Sequence, residues 1–243
     1  LVEIPFFYGD LIGMTLGAMY DSFSWPFFAE ELAFIEAVIG GAPAAAPASF
    51  EVGRQFQAYT AKRGFPRYFN FVEGFPAVAC ADSDNPDTIA DWVAAAGDIS
   101  FDDYFRQLWT YASSPCLAFP TTGEDRYTGP FDADTANPVL VASTLYDPAT
   151  PVHGALEVDA ILPNSGLLLV EGWGHTTLGI SGCASFFSER YLITQELPPP
   201  PSELICPQDF DPFLGFGGPP GEGGGSEFTE RRLEARARFL TGS

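Results

Sequence analysis

Basic residues are the scarcest resource of this chain. Its 243 residues hold 11 Lys plus Arg against 32 Asp plus Glu, a formal charge of −21. Such a surplus repels phosphate backbones and anionic lipid, so nucleic acid and membrane surfaces are not expected partners. Histidine is nearly absent, with two residues, and the four cysteines form no C-x-x-C pair. That combination argues against a zinc site. No run of 18 apolar residues exists, so no membrane span is predicted. The chain also has no basic, apolar leader at its start, and so no signal peptide is read. What it does have is 46% apolar and 15% aromatic residues, enough for a folded core. The charge is unevenly placed: residues 222–243 hold four Arg and four Glu, so residues 1–221 carry the whole −21.

Apolar residues recur at helical spacing over 8–40, interrupted at Ser24-Trp25-Pro26, and an Ala/Pro-rich linker follows at 40–47. The run Phe75 to Cys80 reads as a short strand, with helices to follow near 88–96 and 101–112, the second capped by Ser100. The richest stretch is 138–177. Val139 to Ser143 reads as a buried strand ending at Asp147-Pro148. Thr150 and Pro151 offer an N-cap and a first helical residue for a helix over 151–162. Leu167 to Val170 reads as a second buried strand, leading to Gly172-Trp173-Gly174-His175. This is a strand–helix–strand unit of the parallel kind. A further helix is expected at 184–194 and another at 227–240, after a Gly/Pro-rich spacer.

Working groups in open parallel sheets sit just beyond the carboxyl ends of strands. Asp147 and His175 each occupy that place. A carboxylate that fixes the tautomer of an imidazole lets the ring act as general base, and the order acid then histidine matches the last two members of an α/β-hydrolase triad. His153, in the first turn of the intervening helix, reads as an ordinary histidine.

On these residues the chain resembles the C-terminal half of the tripeptidyl aminopeptidase-like α/β-hydrolases. The matching segments are Asn137 to Val141, Tyr146 to Pro151, Gly172 to Thr176, Ser181 to Cys183, Tyr191-Leu192, Leu197-Pro198 and Cys206. Upstream, Ala79 to Asp82, Thr128 to Phe131, Tyr20 to Pro26 and Phe28 to Leu32 also fit. The resemblance implies an α/β fold: the last parallel strands and helices of a hydrolase sheet over 76–213, a helical lid over 1–75, and a spacer with a charged tail over 214–243. It implies Asp147 as triad acid, His175 as triad base, and disulfides Cys80–Cys116 and Cys183–Cys206. It further implies a secreted serine exopeptidase that releases short peptides from free N-termini through an acyl-enzyme, with such a peptide as partner and no cofactor needed for the chemistry.

In the lid, Phe23, Trp25, Phe27 and Phe28 would shape an apolar pocket or pack in a core. Glu30, Glu31 and Glu36 are candidates for the substrate ammonium, or for a solvated helix face. The chain departs from the family pattern at one decisive place. It contains no Gly-x-Ser-x-Gly elbow. The nearest approach, Gly179 to Cys183, lacks the last glycine and comes after the histidine. The expectation is a partial sequence, inactive alone, whose nucleophile and oxyanion donors lie in a missing N-terminal half of the same fold. An esterase- or lipase-like hydrolase, or a non-catalytic binding fragment of the same fold, are the alternatives.

Overall fold

The computed structural model describes residues 6–41, 71–97, 104–119, 123 and 125–216. The chain forms two compact units, one of residues 1–16 and 30–129, the other of 17–29 and 130–243.

The first unit is helical. It takes in most of α1 (Tyr8–Tyr20) and α2 (Trp25–Ile39), then α3 (Phe71–Asp82), α4 (Ile89–Gly97) and α5 (Arg106–Ala112). Cys80 of α3 is disulfide-bonded to Cys116 in the 3-10 turn Ser114–Ala118. Trp92 is buried in α4 and its indole N–H donates to the Pro86 carbonyl at 3.1 Å. The strand expected at 75–80 is instead the interior of α3. A six-residue apolar run cannot be told from a helix by periodicity, and Ala77, Ala79 and Ala81 favour the helix despite Pro76. The helix expected from 101 is described only from Arg106, with Phe105 at its cap. Ser100, most of the 40–47 linker and the 227–240 helix lie outside the described residues.

The second unit is built on a parallel sheet. β1 (Val139–Tyr146), α6 (Val152–Ile161) and β2 (Ser165–Trp173) form the expected crossover unit, and β3 (Cys206–Pro207) pairs on the far side of β2. Both strands run further than the apolar cores predicted for them, because polar Thr144, Ser165 and Glu171 continue the ladder. β4 (Phe210–Asp211) and β5 (Gly215–Phe216) make a separate antiparallel pair.

β2 is buried on both faces, which is why it reads as an unbroken apolar run. Leu168 and Val170 pack with Ala184, Cys206, Ile180 and Phe187; Leu167 and Leu169 pack with Ile205, Val141, Leu145 and Val152. α7 (Gly182–Thr194) begins at Ser181, whose hydroxyl accepts the Ala184 N–H at 3.2 Å. The Tyr191 hydroxyl donates to the Pro138 carbonyl at 2.7 Å, fixing that helix to the start of β1. A disulfide between Cys183 and Cys206 joins α7 to β3.

Between α1 and α2 the chain turns within residues 21–24, just ahead of the predicted break at Ser24. Asp21 caps this 3-10 turn by accepting the Phe23 N–H at 3.0 Å, and the Trp25 indole donates to the Ala18 carbonyl at 2.9 Å.

Candidate active site

The site forms where β1 and β2 end. Their register advances by one residue near the carboxyl end: Val139 to Thr144 pair with Ser165 to Val170, but Tyr146 pairs with Trp173. This bulge puts one extra residue into β2 and re-aims the loop that carries the histidine. Asp147 then leaves β1 beside that loop.

The Asp147 side chain is 2% exposed, and a buried carboxylate needs partners. It has five. Oδ1 accepts the backbone N–H groups of Ala149 and Thr150, both at 2.8 Å. Oδ2 accepts the Thr150 hydroxyl at 2.9 Å and the Thr176 N–H at 3.0 Å. The His175 Nδ1 lies 3.0 Å from both oxygens. This corrects the expected cap: α6 begins at Val152 with Pro151 before it and no side-chain cap, since the Thr150 hydroxyl is turned to the carboxylate.

Burial alone pushes the Asp147 carboxyl up. The hydrogen bonds from Thr150, Thr176, Ala149 and the His175 ring outweigh it, and Asp147 sits below the ordinary carboxylate range. Folding therefore favours its ionised form. That stabilisation is complete above the unfolded value of about 3.9 and is lost as pH falls through the lower folded value. Acid titration followed by circular dichroism should show stability falling below about pH 4, with a shallower fall in Asp147→Asn; superimposable profiles would refute this account.

An ionised carboxylate only accepts, so Nδ1 of the neutral imidazole carries the proton and Nε2 is left as acceptor. The His175 side chain is 32% exposed and lines a cleft of about 250 Å³ with Tyr20, Asp21, Ser22, Phe23, Trp173 and the 178–180 turn. Burial, and then the Asp147 charge, raise the Tyr20 hydroxyl above the usual phenol range. The loop geometry is specific. Gly174 has φ +114°, and a Cβ there would stand 2.9 Å from the Tyr20 carbonyl. Thr176 has φ +73°, a costly conformation for a β-branched residue, and it delivers its N–H to Asp147. The Thr144 hydroxyl donates to the Gly174 carbonyl at 2.8 Å from a fully buried position.

Of the sequence candidates, the structure brings Asp147 and His175 together. His153 lies on α6 and is not among the cleft residues. Phe23 lines the cleft and stacks on Phe210 with centroids 3.7 Å apart; Trp25 packs against Trp173 and Phe213. Phe27 is exposed and Phe28 half-buried on α2, which also carries Glu30, Glu31 and Glu36, of which Glu30 and Glu36 are exposed. The four cysteines are spent in the two disulfides. Thr150 and Thr176 as carboxylate partners escaped the sequence reading, although a threonine shortly after each member of the acid–histidine pair offers a local signal.

Comparison with known proteins bears on this site. Residues 102–204 match the family described as TAP-like protein. Carboxylesterase B from two strains of Mycobacterium tuberculosis, and a hydrolase of Mycobacterium bovis, are each 25% identical to this chain over 210 residues. Those alignments take in 82% of this chain and 37% of each relative, so the chain spans well under half the length of the curated relatives it matches.

Proposed function

Because residues 102–204 match the family described as TAP-like protein, we propose that this chain belongs to that group of α/β-hydrolases and supplies the acid and the base of a serine exopeptidase acting on peptides with a free N-terminus. The observation that carries this reading is the Asp147–His175 pair, with Nδ1 fixed on a buried carboxylate and the ring bordering an open cleft. The 243 residues contain no nucleophile elbow, so the attacking serine belongs to sequence outside them.

In that assembly Nε2 of His175 takes the serine proton as the hydroxyl oxygen bonds to the scissile carbonyl carbon. The resulting imidazolium is stabilised by Asp147 and returns the proton to the leaving amine, which departs with the C–N bond electrons. Water then attacks the acyl-enzyme, with His175 again as base. Aromatic walls from Tyr20, Phe23 and Trp173 suit an apolar group beside the reacting bond. Two disulfides support a secreted location, and no helix among the described residues is long and apolar enough to cross a membrane.

A second reading, cleavage of carboxylic esters by the same pair, is favoured by the name carboxylesterase B carried by relatives. The two are separated by assaying the complete hydrolase on tripeptidyl anilides, on N-blocked versions of them, and on short acyl esters. The exopeptidase reading expects the free-amine anilides to have the highest kcat/KM and blocking to abolish it. A preference for esters would sink it.

A further inference from the structure

We propose that Gln208 is a positioning residue for His175, acting through a buried amide bracket between the histidine loop and the Tyr20–Ser22 segment. The inference rests on the proposed function only for what the held imidazole does.

Gln208 is 8% exposed and stands two residues beyond Cys206, immediately after β3. Its Oε1 accepts the Trp173 backbone N–H at 2.9 Å, and its Nε2 donates to the Ser22 hydroxyl at 3.2 Å. Ser22 is 1% exposed. One side chain thus uses both ends of its amide, in a buried place, to bond two segments that flank the imidazole. Its backbone is fixed as well, since the Gln208 N–H donates to the Glu171 carbonyl at 3.2 Å.

The segments it joins meet at the histidine. The His175 N–H donates to the Tyr20 carbonyl at 2.8 Å, and Asp21 forms an antiparallel bridge with Gly174. The Tyr20 ring stands edge-on to the imidazole, with centroids 5.1 Å apart. Glycine at 172 leaves room for the bracket: a Cβ there would lie 2.7 Å from Gln208 Oε1. Asp147 fixes one edge of the imidazole and the Tyr20–Ser22 segment fixes the backbone behind it. Gln208 holds that segment in place. A buried amide bonded at both ends is a high-stakes group, because losing it leaves the Ser22 hydroxyl and the Trp173 N–H without that partner in a largely buried place.

The test needs no activity, so its failure is distinct from failure of the hydrolase reading. In the complete hydrolase, His175→Gln identifies the ring signals of His175. Long-range proton–nitrogen NMR of the wild-type hydrolase should show His175 as the Nδ1–H tautomer. Gln208→Leu should give averaged tautomers and speed exchange of the His175 amide by about tenfold, the scale of one lost hydrogen bond, with Leu168 to Val170 still protected. Gln208→Glu, which keeps an acceptor for Trp173 and can accept from Ser22, should restore the single tautomer. If Gln208→Leu does not fold, Ser22→Ala removes one bond of the bracket and should shift the same two signals. A wild-type His175 tautomer and amide exchange in a folded Gln208→Leu, or in Ser22→Ala, would overturn the proposal.

Discussion

Replacing His175 by alanine in the complete hydrolase should lower turnover on the order of 10⁴–10⁶-fold, the scale on which triad members act as a unit. Substrate affinity should change little. The ring touches Asp147 through one nitrogen, and Asp147 keeps four other hydrogen bonds after its removal. The fold around the site should therefore survive. Single-turnover acylation is the decisive measurement, because it isolates the step in which Nε2 takes the serine proton. Acylation at an undiminished rate would refute His175 as the base.

Asp147→Asn should be nearly as damaging, with turnover down on the order of 10⁴-fold, for a different reason. The carboxylate accepts at both oxygens, and an amide can accept at only one. Ala149 and Thr150 present two backbone donors to Oδ1, so the amide oxygen belongs there. The NH₂ then replaces Oδ2, where the Thr150 hydroxyl can rotate to accept but the Thr176 N–H loses its partner. Toward His175 the same NH₂ is a donor. It selects the tautomer protonated at Nε2, which has no lone pair for the serine proton. The variant should be folded, slightly less stable, and spectroscopically inverted in its ring tautomer. Turnover within about tenfold of wild type would overturn the role given to Asp147, since a wrong tautomer cannot be catalytically silent.

The strand–helix–strand order of 139–173 was legible because β2 is buried on both faces and so is apolar at every position from Leu167 to Val170. Asp147 and His175 stood out because each comes just after such a strand. The run at 75–80 misled for the complementary reason: six apolar residues hold no period, and three alanines tipped the balance to helix. The Thr150 cap failed because a nearer carboxylate competed for its hydroxyl. Ser22 and Gln208 were illegible on principle. Ser22 lies in the matched segment Tyr20 to Pro26 but nothing there points to a partner, Gln208 lies in no local pattern, and their bond joins positions 186 residues apart. The bulge in β2 was hidden too, since one extra residue in a strand leaves no compositional trace.

The spacing of these contacts also sets an order of assembly. Asp147 and His175 are 28 residues apart, within one crossover unit, whereas Ser22 and Gln208 are separated by 186. Closing the longer loop costs about 2 kcal/mol more in chain entropy. Contacts of short range are reached first in a folding chain. On loop-closure entropy alone, the acid and the imidazole are expected to meet before Ser22 and Gln208 do, with the distant amide locking them afterwards.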